Sequence, residues 1–328
     1  MPEKKGVFFT LISITIMAIL IIIFSPSADY GLKKNQQSDN VRIGSVDQYI
    51  EMLETSYFEI VLRSSTLKAV TSLIYYSNQT GSYVKNLDSS FYEVMLNGTI
   101  NGVAIDSVTG KKIMTNNTVK NWSKKMESIS KQTLNVVTII NVTNISLSQS
   151  NPWTIESTMR MNITVQSNVA TWNKESVIKS EISIEGLYDP QYLLHTSGLY
   201  GKKVRKSGVE FNKWNVTKVE DGIRNGTYVH WISTDAPSFI QRIKNDSTPS
   251  ACCGIESFAD PNQLSPNDQF ESYVDYNMWN HNFSSCSVLY NITNPSTGGG
   301  VWSNYKFFKL DLDHLVRYNI TPENYITC

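Results

Sequence analysis

The pattern of apolar and polar positions changes character along this chain. From Val7 to Phe24 the residues VFFTLISITIMAILIIIF are apolar or hydroxyl-bearing without a break. As a helix this run rises about 27 Å, close to the thickness of a hydrocarbon core. Thr10, Ser13 and Thr15 can return their hydroxyls to the preceding helical turn, so residues 7–24 predict a transmembrane helix. Residues 25–44, with the polar and aperiodic stretch DYGLKKNQQSDNVRIG, predict a linker. Ser45 and Gln48 then have the spacing of a capping box. Behind them Val46, Tyr49, Ile50, Leu53, Tyr57, Ile60, Val61, Leu67, Val70 and Ile74 recur at three- and four-residue steps. They predict an amphipathic helix of about thirty residues ending near Asn78.

A second amphipathic helix is predicted between Asn117 and Gln132, where Val119, Trp122, Met126 and Ile129 share a face. Strands follow. Residues 133–148 alternate imperfectly, Met159, Met161, Ile163 and Val165 alternate cleanly, and Ile178, Ile182 and Ile184 alternate before Gly186. Joined by turn-rich segments, these runs predict an antiparallel sheet with one face on the core, and Asn162 takes the solvent-facing parity of its strand. Beyond Leu187 the pattern is irregular, with short helices predicted at Pro237–Lys244 and Leu312–Tyr318. The expected fold is α+β. A head at 1–6, a span at 7–24 and a linker at 25–44 precede a helix-plus-sheet domain at 45–187 and an irregular, cysteine-containing lobe at 188–328.

The 29 basic and 29 acidic residues balance, which gives no electrostatic reason to expect a nucleic-acid partner. Lys4 and Lys5 before the apolar run are offset by Lys33, Lys34 and Arg42 after it, so charge alone does not orient the span. Decoration does. Thirteen N-x-S/T acceptors stand at Asn78, Asn97, Asn116, Asn121, Asn141, Asn144, Asn162, Asn215, Asn225, Asn245, Asn282, Asn291 and Asn319, spread over the chain beyond residue 77. Pro322 weakens the last. The expected partners are the lipid bilayer, through residues 7–24, and envelope or pilus proteins. The alternative for the apolar run is a secretory signal cleaved near Ser25, Ser27 and Ala28; either way the remainder lies outside the cytoplasm.

The four cysteines, Cys252, Cys253, Cys286 and Cys328, match no zinc spacing. An oxidising exterior permits two bridges, and ring strain disfavours a bond between the adjacent pair, so Cys252 and Cys253 are each expected to reach Cys286 or Cys328. His195, His230, His281 and His314 lack metal-site spacing, and Gly298–Gly300 lacks the Lys and Ser/Thr of a phosphate loop. No cofactor is expected. Glu185, Asp189, Asp235, Glu256 and Asp275 are the carboxylates that could pair for glycoside hydrolysis, although Asp189-Pro190 and Asp235-Ala236-Pro237 read more simply as a turn and a helix cap. Trp214, Trp231, Trp279 and Trp302 would suit sugar stacking, with core packing as the default.

The segments LNGTING (96–102), NPW (151–153), SIEGLYDPQY (183–192), DAPSFIQR (235–242) and CGIES (253–257), after an N-terminal KKG and apolar helix, resemble an uncharacterised family of archaeal membrane-anchored surface proteins. The resemblance covers most of residues 1–280 and implies a single anchor and an extracytoplasmic domain, with no assigned activity. The layout of a short basic leader, an apolar helix, an amphipathic helix and a β-rich head is also similar to that of type IV pilin-like proteins. That likeness implies cleavage after Gly6 in Lys4-Lys5-Gly6. Val7 and Leu11 depart from the Gln and Glu often found at the first and fifth mature positions, and the polar linker interrupts the helix. The function expected is structural or adhesive display at the cell surface, with a pilin-like subunit and a surface hydrolase as alternatives.

Overall fold

The computed structural model describes residues 15–17, 20, 34–232, 235–260, 272–280, 288–292 and 308–327. The predicted span at 7–24 falls largely outside them, and among the described residues no helix is long and apolar enough to cross a membrane. The fold is α+β, with helices packed on antiparallel sheets. It divides into two compact units: residues 1–62, 119–144 and 159–178 form one, and residues 63–118, 145–158 and 179–328 the other.

Helix α1 (Lys34–Met52) passes through a π-helical turn at Leu53–Tyr57 into α2 (Phe58–Thr80). This corrects two expectations. From Lys34 onward the proposed linker is helical, because Lys, Gln, Asn and Arg are compatible with a helix that has no apolar stripe in that stretch. Ser45 is likewise not a cap. It lies inside α1 and its hydroxyl donates to the Val41 carbonyl at 2.8 Å.

The π turn also shifts the buried face by about one residue. Val46, Tyr49, Ile50 and Leu53 are buried as predicted, but Ile60 and Leu67 face outward, and the inward stripe continues through Phe58, Val61, Leu62, Ser65, Thr66, Ala69, Val70, Leu73 and Ile74. The small hydroxyl residues in this stripe were invisible to a hydrophobic pattern. Thr66 donates to Ser157 Oγ at 2.8 Å and Ser65 to the Asn117 carbonyl at 2.8 Å.

The long strands β3 (Val137–Asn151), β4 (Thr154–Gln166) and β5 (Thr171–Ser183) pair in the order β3-β4-β5 and each contributes to both units; in the first unit α1 and α5 (Val119–Thr133) pack on their residues 137–144, 159–166 and 171–178. Met159, Met161, Ile163 and Val165 of the central strand are buried and Asn162 is exposed, as predicted. Tyr49 Oη meets Thr138 Oγ1 at 3.3 Å, Tyr57 Oη donates to the Trp122 carbonyl at 3.1 Å, and Glu54 receives Lys174 and Ser176. The imperfect alternation of β3 has a local cause. Its inward positions are even from Thr138 to Val142 and odd from Ile145, while Thr143 and Asn144 are both exposed. A phase slip of one residue is the signature of a β-bulge.

The second unit adds α3 (Leu87–Asn97) and a hairpin of β1 (Thr99–Ile100) and β2 (Val103–Ala104), followed by α4 (Ile105–Thr109). Asn101 and Gly102, both at positive φ, form the tight turn that a two-residue hairpin requires. Glu93 holds it by accepting from Thr99 Oγ1 at 2.6 Å and from the Asn101 and Gly102 amides at 2.9 and 2.7 Å.

Beyond β5 come α6 (Pro190–His195), α7 (Val216–Asn225), β6 (Tyr228–Val229), α8 (Phe239–Lys244), β7 (Glu256–Ser257), α9 (Asp275–Asn280), β8 (Leu289–Ile292), β9 (Lys309–Asp311), α10 (Leu312–Arg317) and β10 (Tyr325–Thr327). Strands β6 and β7 pair antiparallel, as do β10, β8 and β9 in that order. The two predicted C-terminal helices are present as α8 and α10, each shorter than expected.

The π-turn shift gives a direct test. Leu62→Ala, at a fully buried position, should lower unfolding free energy by about 2–5 kcal/mol, whereas Leu67→Ala on the outward face should stay within about 0.5 kcal/mol. Urea unfolding of the two purified variants reads the difference; equal losses would show that the inward face continues the pattern of α1 without a shift.

Candidate functional site

Short, strongly capped helices deliver the charged side chains of the second unit to its interior. Asp189 is the N-cap of α6, accepting from the Gln191 amide at 2.9 Å with Pro190 in the first turn. Ser238 and Gln241 form the capping box of α8. On α8, Phe239, Arg242 and Ile243 share the buried face, so a guanidinium is carried inward with the apolar side chains. Arg242 is fully buried. Its Nη1 donates to Asp189 Oδ2 at 2.7 Å, Asp275 Oδ2 at 2.8 Å and Gln191 Oε1 at 3.1 Å, and Nη2 donates to Asp275 Oδ1 at 3.2 Å and to the Ile255 carbonyl.

Further donors complete the two carboxylates. Tyr228 Oη donates to Asp189 Oδ2 at 2.9 Å and Ser257 Oγ to Asp275 Oδ2 at 2.7 Å. Lys202 is also buried, donating to the Phe258 carbonyl at 2.9 Å and lying 4.8 and 4.9 Å from the ring centres of Tyr192 and Tyr228. Burial pulls the Lys202 ammonium down to about 8, against the attraction of Asp275 and Asp189. Burial works against the charge of Arg242 too, but the two carboxylates overcome it and raise its pKa.

Glu256 and Ser257 are neighbours on β7, and the alternation of a strand sends them to opposite sides. Ser257 joins the Arg242 network, while Glu256 organises a second one. Its Oε1 accepts from Trp231 Nε1 at 2.9 Å and from Tyr318 Oη, and its Oε2 from Arg317 Nη1 at 3.0 Å. His314 stands 3.6 Å from Glu256 through Nε2 and 2.7 Å from Asp311 through Nδ1. Asp311 is the N-cap of α10 and also receives Ser272 and Asn277. Burial opposes the charged imidazole, yet Glu256 and Asp311 raise His314 to about 9, so it is an imidazolium at neutral pH. Burial would raise Asp311 and Glu256, but His314 holds both below the usual carboxylate range.

Beside this second network lies a cleft of about 510 Å³, walled by Asp235, Ser247, Tyr276, Asn277, Asp311 and Asp313, with Leu312, Val288 and Pro249 as its apolar part. His314 and Asp311 reach its floor with their polar atoms already engaged. The cleft therefore offers the rim carboxylates of Asp235 and Asp313 and the Ser247 hydroxyl for recognition, on a rigid base.

The structure thus brings together two of the five carboxylates considered as catalytic pairs and buries a third in a separate network, all in roles other than a hydrolytic pair. Asp189 and Asp275 clamp one guanidinium, with no space for a sugar between them, and Glu256 anchors His314. Glu185 is exposed, and Asp235 lies at the cleft rim, 3.7 Å from Arg317. Asp189 caps a helix where a turn was expected, and Ser238 rather than Asp235 caps α8. Trp214 and Trp231 are core residues packed edge-on around Tyr318, with ring centres 4.9 and 5.2 Å away. Trp279 is half-buried and stacks on His195 at 4.7 Å. His230 meets the Gly254 carbonyl through Nδ1 at 2.7 Å. His281, Trp302, Gly298–Gly300, Cys286, Cys328, Asn282 and Gly6 lie outside the described residues. No group of three or more metal-binding side chains occurs among the described residues.

The expected pairing of the cysteines is overturned. Cys252 and Cys253 are bonded to each other, with Cα atoms 3.7 Å apart. The turn at residues 251–253 lets successive side chains leave on the same side, which a helix or strand would not. It is fixed by Cys253 N donating to Ser250 Oγ at 3.1 Å and Ser250 N to the Ala236 carbonyl at 3.1 Å. Both sulfurs lie over the Gln149 carbonyl, at 3.7 and 3.6 Å. Cys252 is exposed and Cys253 buried.

Arg242, Lys202, Asp311, Tyr192 and Tyr228 were not singled out from the sequence. The only signal was an arginine on the apolar face of a short capped helix. No family model matches the chain, and neither curated proteins nor solved structures include a significant match to it.

Arg242→Met should destabilise the fold by about 3–5 kcal/mol, since it strands two buried carboxylates, as read by denaturant unfolding; a loss below about 1 kcal/mol would mean that the clamp is not formed. The His314 network gives a pH signature. A raised folded pKa adds stability that is complete below the unfolded value near 6.5 and is lost as pH rises through about 9. Between pH 6 and 8 the loss should approach about 2 kcal/mol. Above 8, deprotonation of Lys202 offsets it, because a depressed ammonium favours the folded state as pH rises. Thermal unfolding across pH 6–8 should show the decline in the native protein and its disappearance in His314→Gln; a parallel decline in both would overturn the assignment.

Proposed function

We propose that this chain is a membrane-anchored surface protein whose folded part stands outside the cytoplasm, carries N-linked glycans and has a structural or binding role. The observation that carries the reading is the placement of the sequons. Of the twelve described acceptor asparagines none is buried; Asn78 and Asn291 are half-buried and the other ten are exposed. The Cys252–Cys253 bond adds support, since disulfides persist in oxidising compartments. The apolar run at 7–24 supplies the anchor, and the cleft rimmed by Asp235 and Asp313 is a concave surface that a partner could occupy. The resemblance to archaeal anchored surface proteins agrees with this reading.

A pilin-like subunit is the second reading, and one observation favours it. The part of the polar stretch that the structure describes, from Lys34, is helical and runs on to Thr80, and a three-stranded antiparallel meander follows later in the chain.

Peptide mapping by mass spectrometry, on protein isolated from its native membrane, tests both. The surface reading expects an intact N-terminus, glycans at exposed sequons and linked Cys252 and Cys253. A terminus at Val7 would move the reading to the pilin-like subunit, and empty sequons with free thiols would remove the exterior placement. Asn319 should be unoccupied in either case: its Nδ2, the atom that would carry the sugar, donates to the Trp214 carbonyl at 3.3 Å, and Pro322 follows its acceptor threonine.

A further inference from the structure

Among the described residues, strands β3 and β5 are the outer members of the three-stranded sheet, so each leaves one row of backbone N–H and C=O groups without a neighbouring strand. Such rows template the addition of a strand from another molecule unless something blocks them. β5 is guarded by charge: Lys174, Glu175, Lys179 and Glu181 are all exposed along it. β3 has no such guard. Its fifteen residues, VTIINVTNISLSQSN, include no charged side chain, and Val137 and Ile139 are about half exposed, at 48% and 50%. It is a long, uncharged, partly apolar edge.

The Cys252–Cys253 turn covers the Gln149 carbonyl near its far end, and two local features protect part of the rest. Glu127 of α5 accepts the Ile140 amide at 3.0 Å, so the outward-pointing N–H at that position is satisfied. The slip in alternation at Thr143 and Asn144, of the kind a β-bulge produces, breaks the regular spacing that an incoming strand would need. Between them, alternation places the next outward-pointing backbone groups on Val142. The sequons Asn141 and Asn144 flank that residue, both exposed, and Asn162 projects from the outward face of the adjoining strand β4.

We infer that N-linked glycans on Asn141 and Asn144 are the guard of this edge. A hydrated saccharide there occupies the volume in which β3 of a second copy would pair, about 4.8 Å away in the plane of the sheet, and so keeps the sheets of neighbouring copies apart at the membrane surface. The inference rests on the surface reading above and deepens it by assigning these two sequons a task.

The test compares full-length chains isolated in detergent from the native host: the natural protein, Asn141→Gln/Asn144→Gln, and a control, Asn225→Gln/Asn245→Gln, with sequons on other elements. Peptide mapping should find Asn141 and Asn144 occupied in the natural protein. Light scattering after size exclusion should show the protein mass of the first variant at least doubled, with the control unchanged. Adding Ile139→Lys to the associating variant should restore the natural mass by supplying a charged guard, which a mere folding defect would not allow.

The inference is overturned if the double variant keeps the natural mass, if Ile139→Lys fails to restore it, or if the control associates equally. Glycans at Asn225 or Asn245 with none at Asn141 and Asn144 would overturn this inference and leave the surface reading standing. An entirely unglycosylated chain would overturn both.

Discussion

A fully desolvated guanidinium has to be matched by buried acceptors, and the second unit is organised by how Arg242 meets that requirement. Its carboxylate partners come from far along the chain, Asp189 from the start of α6 and Asp275 from the start of α9. Because both are fixed at helix termini, their side chains are aimed by backbone geometry. Any register that moved α8 relative to α6 or α9 would strand a buried charge, at a cost of several kcal/mol. The clamp therefore selects one arrangement among many that short helices and two-residue strands would otherwise allow.

Strand β7 extends this constraint to the cleft. Two consecutive residues, Ser257 and Glu256, face opposite sides, and each completes one charged network. The turn closed by Cys252 and Cys253 lies just before them and is held against Gln149, whose side-chain oxygen also accepts the Ile240 amide of α8 at 3.2 Å. The Cys252–Cys253 turn, the start of α8 and the residues that complete the charged networks thus meet within a few residues of one another. The first unit works differently: its helices bury an apolar stripe on the sheet, and its polar contacts are neutral or exposed, Tyr49 with Thr138 inside and Trp172 with Asp47 at the surface.

Regular periodicity was legible where burial by apolar side chains dominates. The strand alternation at 159–165, the outward parity of Asn162 and the helix at 119–133 needed only the spacing of hydrophobic residues. Errors arose where another term took over. The π turn changed the phase of the long helix, polar residues from Lys34 extended that helix into the expected linker, and hydroxyl residues filled buried positions where donors met tertiary acceptors. The irregular C-terminal third hid its organisation because its interior is held by charge, and pattern analysis treats charge as a sign of exposure.

By itself the sequence determined the acceptor sequons, the apolar run, the α+β class and the presence of the short helices α8 and α10, since each depends on residues close together in the chain. Tertiary structure decided which charges are buried, which cysteines are joined and which sequons flank an open edge. Those outcomes depend on desolvation and on partners tens of residues away: Arg242 reads as a surface residue until Asp189 and Asp275 are placed around it.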